Sequence, residues 1–306
     1  MNNNRELRRL RWLLIAPAFL LFTVFTAIPG VRALVYSFQK WDGFTEAEWV
    51  GLDNFRALFV DDLFVGALKH NVILMVVGGS ITLCLALVFA SIVHRGMRGA
   101  GLFRVAFFFP NILAAVAIAI LWQQMYSMTD FGIINAGLVK FQETFPSLVP
   151  SNAQGDPLFP FPFTDSRYLI YSIVPMLVWT ATGFYMVLFL AAMQSIPEEY
   201  YEAATLDGAS ARQQFFHVTL PLIREVFIVG IVFFIISTAK FFDAVWVMEA
   251  ELPSKDSHVM ATVLYQKVFH EYNVGYAAAV AVVLFALVLV ATLITLKFSR
   301  KDALEF

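Results

Sequence analysis

Charge and cysteine are scarce in this 306-residue chain. Only 14% of its residues are Asp, Glu, Lys or Arg, against about 25% in a typical soluble domain. Hydrophobic residues make up 59%, more than a water-facing surface can accommodate, so part of the surface must face lipid. The single cysteine, Cys84, lies inside an apolar run. That excludes an intrachain disulfide or a cysteine-ligated metal cluster, and Cys84 reads as a small buried hydrophobe. No Gly-x-x-x-x-Gly-Lys-Ser/Thr segment occurs, so the chain has no phosphate-cradling loop of its own. The five histidines, His70, His94, His217, His258 and His270, show no metal-ligand spacing such as His-x-x-x-His, and no nucleophile constellation is visible. An integral membrane enzyme and a bound metal are therefore not expected. The net charge of −2 provides no general attraction to nucleic acid.

What the chain has in abundance is long apolar runs. A helix needs about 20 apolar residues to cross the ~30 Å hydrocarbon layer. Six runs qualify, at 13–36, 71–93, 104–125, 168–193, 222–246 and 274–298. Backbone polar groups in lipid must be satisfied within the segment, which makes these runs helices. Pro29, Pro110 and Pro175 are tolerable there because neighbouring helices and Ser/Thr side chains can take up the freed carbonyls. The first run follows Arg5, Arg8, Arg9 and Arg11, the flank of a signal peptide. At Leu13–Val31 it is longer than the roughly 7–15 residues of a signal core, so it reads as a retained membrane helix. The expected fold class is all-α: a polytopic membrane helix bundle of six transmembrane helices in one domain, 1–306, with a loop of short helices at 195–221.

Basic residues set the orientation. They gather at the N-terminus, at Arg95, Arg98 and Arg104, at Arg212 and Arg224, and at Lys297, Arg300 and Lys301. The first, third and fifth connections are acid-rich, with Asp42, Glu46, Glu48, Asp53, Asp61 and Asp62, then Asp130, Glu143, Asp156 and Asp165, then Glu249, Glu251, Asp256 and Glu271. The alternation puts both termini on the cytoplasmic side of the membrane. The third connection, 127–167, is long enough to be a cap over a pathway, a contact for an external partner or an ordered packing loop.

The 195–221 loop, on the basic side, carries the sharpest local signals. Ser195 and Glu198 match a capping box, with Pro197 in the first turn. Glu198, Glu199 and Glu202 favour the positive end of a helix. Gly208 can take the left-handed conformation that ends one. Ser210 and Gln213 repeat the capping pattern for a second short helix through about Phe216, and Leu220-Pro221 restarts the chain as the fifth span. Ala203, Ala204 and Gly208 leave a shallow surface that a partner protein can approach closely, with the carboxylates as polar anchors. The alternative is an interfacial helix resting on headgroups, but an acidic face is repelled by anionic lipid.

Glu202-Ala203-Ala204-Thr205-Leu206-Asp207-Gly208, followed by Val218-Thr219-Leu220-Pro221, resembles the EAA signature of ABC importer permeases, with Val218 where isoleucine is usual. The likeness extends to Val50-Gly51-Leu52-Asp53-Asn54-Phe55, Phe108-Phe109-Pro110, Gln194-Ser195-Ile196-Pro197 and Gly275-Tyr276-Ala277-Ala278-Ala279, which are similar to segments of carbohydrate-type permeases of the maltose and glycerol-3-phosphate type. Glu251-Leu252-Pro253 stands where many members have Gly-Gly-Pro. The resemblance implies that Glu198, Glu199, Glu202, Ala203, Ala204, Asp207, Gly208, Leu220 and Pro221 form a coupling surface for a separate ATPase. It also implies a second permease subunit, two ATPase subunits that hold ATP and Mg, an external solute-binding protein, and a place in the cytoplasmic (inner) membrane of a bacterial or archaeal cell.

Polar groups inside the spans are the candidates for a substrate path. Lys240 and Asp243 are three apart and so expected on one helical face. Sixteen residues, ~24 Å of helix, separate Lys240 from Arg224, which puts it near the outer edge of the hydrocarbon. Ser237 and Thr238 lie one turn deeper. Trp179, Thr180, Thr182 and Tyr185 form a polar and aromatic patch in the fourth span, and Asn111 stands beside Pro110. Hydroxyls and an aromatic face suit a sugar, although helix–helix hydrogen bonding accounts for such residues equally well. The resemblance favours the fourth and fifth spans as the region of contact. Glycerol phosphate or a polyol is the alternative cargo. An ion-coupled secondary transporter would show internal repeats and carboxylates at span centres, and neither is present.

Overall fold

A computed structural model of the protein describes residues 14–129, 131–149 and 157–299. Leu13 and the residues at 5, 8, 9, 11, 130, 156, 300 and 301 that enter the topology argument lie outside the described residues. Among the described residues helices dominate, and five are long and apolar enough to cross a membrane: α1 (Leu14–Tyr36), α3 (Asp62–His94), α7 (Ser166–Gln194), the Arg224–Met248 stretch and Val274–Lys297. The pair α4 (Ala100–Ile112) and α5 (Ala115–Met125) is apolar enough to make a sixth crossing if it forms one span, and it bends by 99° at the break between its helices.

The chain divides into two compact units. The first comprises Met1–Val65 with Val263–Ala286. Here α1 leads into strand β1 (Gln39–Lys40), antiparallel to β2 (Glu48–Trp49) with Gln39 opposite Trp49. The turn between them is organised by the Asp42 carboxylate, which accepts from the backbone N–H of Phe44 and Thr45. Helix α2 (Asp53–Val60) follows, and Asn54 donates to the carbonyls of Ser37 and Gln39 at 3.0 and 2.9 Å. The Gly275 amide donates to the Trp41 carbonyl, and a Cβ at Gly275 would collide with the Gln39 carbonyl. The Tyr276 hydroxyl donates to Asp61 at 2.6 Å. Two of the family-like segments, around Asn54 and around Gly275-Tyr276, thus meet around one hairpin.

The second unit comprises Gly66–Thr262 with Leu287–Phe306. Its core is the packing of α3 on α7. The buried positions of α3 after its π-helical turn at Leu74–Gly78 are Gly79, Thr82, Leu83, Ala86, Leu87, Ala90 and Val93. That is a three-and-four stripe along one helix face. It meets Ile173, Leu177, Met186, Phe189 and Met193 of α7, with Phe234. Against the other side of α7, Gly183 lets the backbone approach α4 so closely that a Cβ would collide with the Phe107 carbonyl, the small-residue crossing typical of membrane bundles.

Several sequence expectations need correction. The second span begins not at Asn71 but at Asp62, with Asp61 accepting from the Leu63 amide at its start. The third span is broken at Leu113 and Ala114, both extended, and the Leu113 amide closes the last turn on the Pro110 carbonyl. The fifth span is also broken: α10 (Arg224–Ala239) stops and α11 (Asp243–Met248) begins after Lys240–Phe242. Lys240 and Asp243 therefore sit on separate segments, not on one helical face. Beyond the 195–221 loop, among the described residues, short helices also lie in the connections: α2, α6 (Ile133–Thr144) and α12 (Met260–Phe269), before α13 (Val274–Ser299). In the long third connection the buried Asn135 donates to the carbonyls of Tyr126 and Phe161 and accepts from the Phe161 amide, so α6 is tied to the stretches around Tyr126 and Phe161.

Gly183→Ala should destabilise the purified chain by about 1–3 kcal/mol through overpacking, read as a lower melting temperature in detergent. Asp61 supplies a pH-dependent test. Burial raises its pKa, but the Tyr276 hydroxyl, the Leu63 amide and the charge of Lys267 outweigh that and hold it below 3.8. A depressed carboxyl contributes stability above its unfolded pKa and loses it as pH falls through the folded one. Melting measured from pH 6 downwards should therefore fall below about pH 4, and Asp61→Asn should flatten that part of the profile.

Candidate functional site

The first candidate surface is an elbow formed by α8 (Glu198–Leu206) and α9 (Ala211–Gln214), the latter running on through a π-helical turn at Phe215–Thr219 to Leu222. The Ser195–Glu198 capping box does not form. Helix α7 extends to Gln194, so Ser195 is its C-cap, in helical conformation, with its hydroxyl donating back to the Ala192 carbonyl. The N-cap of α8 is Pro197, without a side-chain cap. Gly208 has φ +77°, and the Ala209 amide closes the helix end on the Ala204 carbonyl at 2.9 Å. Ser210 and Gln213 do form the reciprocal box, with N–H···O distances of 2.8 and 3.4 Å. The second helix does not end near Phe216, nor does the chain restart at Leu220-Pro221. Proline is tolerated there, and the break comes at Ile223.

The elbow is fastened as one piece. Gln214 Nε2 donates to Thr205 Oγ1 at 3.0 Å, bridging the two helices. The Tyr201 and Thr219 hydroxyls meet at 3.0 Å. The Arg95 guanidinium, just past the end of α3, donates to the Ala211 carbonyl, and the His94 ring packs on Tyr201 with centroids 5.6 Å apart. On its outer face Glu198, Glu199, Glu202, Ala203, Asp207, Gly208 and Pro221 are exposed, while Ala204 and Leu220 are partly buried. Leu206, at the corner, is 89% exposed, a large apolar side chain with no cover of its own.

The second candidate is a cavity of about 250 Å³ where both helix breaks meet. Asn111, Thr180, Ser237, Lys240 and Asp243 line it, beside Phe241 and Phe242. Leu113 and Ala115 come from the α4–α5 break, and Lys240–Asp243 from the α10–α11 break. Irregular backbone at membrane depth persists only where it is buried in protein or lines such a space, and discontinuous helices commonly surround transport sites. Ser237, Lys240 and Asp243 are exposed, and among the described residues no ion pair joins Lys240 to Asp243.

The remaining polar residues of these spans stay outside the cavity lining. Thr182 is buried and spends its hydroxyl on the Val178 carbonyl at 2.6 Å. Tyr185 is buried among Phe184, Phe189 and Phe234. Thr238 is buried behind the break, and Trp179 packs on Trp122. The sequence reading used Arg95 only for orientation and gave Gln214 and Asn71 no role, yet all three hold these sites in place. An amide in an apolar run was the available signal for Asn71.

Residues 82–301 match the family described as binding-protein-dependent transport system inner membrane component. A probable ABC transporter permease protein, YesP, of Bacillus subtilis is 30% identical over 98% of this chain and 94% of its own length. The diacetylchitobiose uptake permease NgcF of Streptomyces coelicolor is 32% identical, covering 88% of this chain and 76% of that protein. The lactose transport permease LacF of Rhizobium radiobacter is 29% identical over 95% and 94%. A solved bacterial alginate ABC transporter, in complex with an alginate-bound periplasmic protein, shares the fold with TM-score 0.78 at 19% identity, over 98% of both chains. The resemblance drawn from Glu202 to Pro221 and this match over most of the chain agree: the protein belongs to the inner membrane components of binding-protein-dependent transport systems, as a multi-pass permease subunit of an ABC transporter.

Proposed function

We propose that this chain is one of two permease subunits of an ATP-driven importer that moves a carbohydrate inward by alternating access. What carries the reading is the elbow: a short helix pair, tied to the end of α3 through Arg95, that presents Leu206 and a rim of carboxylates outward. A separate ATPase subunit docks there on the cytoplasmic side, and ATP with Mg is held by that subunit. Both termini face the cytoplasm, and an external solute-binding protein delivers the cargo from the opposite side. The named relatives handle diacetylchitobiose and lactose, which favours a sugar as cargo. The cavity fits that chemistry: hydroxyl and carboxamide groups at Ser237, Thr180 and Asn111 exchange hydrogen bonds with sugar hydroxyls, and Phe241 and Phe242 offer apolar faces to the ring. The loop drives the change because it binds the ATPase differently in the two states; equal binding would shift nothing.

Glu202→Lys and Gly208→Asp should leave the protein inserted but uncouple ATP hydrolysis from uptake in proteoliposomes containing the full complex. Full uptake by both variants would refute the docking surface. Uptake of lactose, diacetylchitobiose and glycerol 3-phosphate identifies the cargo class. For the accepted solute, Ser237→Ala and Asp243→Ala should raise the half-saturating concentration about threefold to tenfold, the scale of one lost hydrogen bond.

A further inference from the structure

The α10–α11 break has no proline or glycine at Lys240-Phe241-Phe242 to cause it. What holds it lies on α3. Asn71 is completely buried and uses both ends of its carboxamide on backbone groups distant in sequence. Its Nδ2 donates to the Thr238 carbonyl at 3.3 Å, and its Oδ1 accepts from the Met260 amide at 2.8 Å. Thr238 is the residue whose carbonyl loses its regular helical partner at the break and accepts instead from the Phe241 amide, in a tighter turn, at 3.1 Å. Met260 opens α12, where the first amides have no partner within the helix. One side chain therefore gives a second donor to the carbonyl at one helix end and satisfies an orphan donor at another. The neighbouring His70 reinforces only the second of these: its Nδ1 donates to the His258 carbonyl at 2.7 Å, and a carbonyl partner fixes the proton on Nδ1. Asn71 is not among the residues lining the cavity, whereas Ser237 and Lys240 are.

We infer that Asn71 is the positioning residue of the cavity. By holding the Thr238 carbonyl it fixes the turn that presents Lys240 and Asp243, and by holding Met260 it ties that turn to the segment entering α12. The role in transport rests on the cavity being the solute path; the hold on the break does not. Asn71→Asp keeps the acceptor for Met260 and replaces the donor to Thr238 with an oxygen. Asn71→Ala removes both, and His70→Phe removes only the support at His258.

The test uses the full permease complex in lipid. Amide exchange at Phe241 should speed up by about tenfold or more in Asn71→Asp, with Met260 still protected. In Asn71→Ala both amides should exchange faster, and in His70→Phe the Phe241 amide should not change. With whichever of lactose, diacetylchitobiose or glycerol 3-phosphate the parent protein takes up, Asn71→Asp should raise the half-saturating concentration about tenfold, with complex assembly intact, while His70→Phe leaves it alone. Unchanged Phe241 exchange, an unchanged half-saturating concentration, or an equal effect of His70→Phe overturns the inference. So does failure of both Asn71 variants to insert, which would make Asn71 a general folding residue. Should the parent protein take up none of the three solutes, the cargo reading falls, and exchange at Phe241 still decides whether Asn71 holds the break.

Discussion

Backbone hydrogen bonds have no water to fall back on inside a bilayer, and the rest of this structure follows from how the chain obeys that constraint. Most of it complies in the simplest way, as uninterrupted helices such as α3 and α7. Two spans do not, and each interruption is compensated by something specific. At the α4–α5 break the Leu113 amide turns back onto the Pro110 carbonyl. At the α10–α11 break the Thr238 carbonyl receives the Phe241 amide and Asn71. Both interruptions open on the same small cavity, so the irregular backbone sits beside the exposed polar groups that line it.

Helix α3 links the features that matter. Near its start it carries Asn71, and at its end His94, followed by Arg95, supports the elbow. The distance between the two, 23 residues or ~35 Å of helix, spans the hydrocarbon layer. Between them the buried stripe from Gly79 to Val93 is packed along α7, which itself runs from the cavity wall at Thr180 to the elbow at Gln194. Two packed helices thus connect a polar cavity to an exposed corner. A rigid connection of this kind is what a motor pulling on the corner would require in order to reach the cavity.

Much of this was legible in the residues. Six apolar runs were legible as five helices long enough to cross and one bent pair, because length and hydrophobicity alone decide whether a helix can span lipid. Gly208 marked the corner because a left-handed residue is needed there, and Ser210 with Gln213 marked the following helix because the capping box is local chemistry. Asn111, Thr180, Ser237, Lys240 and Asp243 were identifiable as polar groups in apolar surroundings, and the fold does gather them. Ser195 misled because its pattern was correct for a helix start, yet α7 continued far enough to claim it as an end. Lys240 and Asp243 misled because the three-residue spacing assumed an unbroken helix.

The sequence by itself therefore determined the crossings, the corner and the family, since each depends on hydrophobic length or on chemistry within a few residues. Only the tertiary structure decided where the helices break and which polar residues share a cavity. Those outcomes depend on pairings such as Asn71 with Thr238 and Met260, where the partners are 167 and 189 residues apart. A carboxamide in an apolar run carries no mark of which distant carbonyl it will hold.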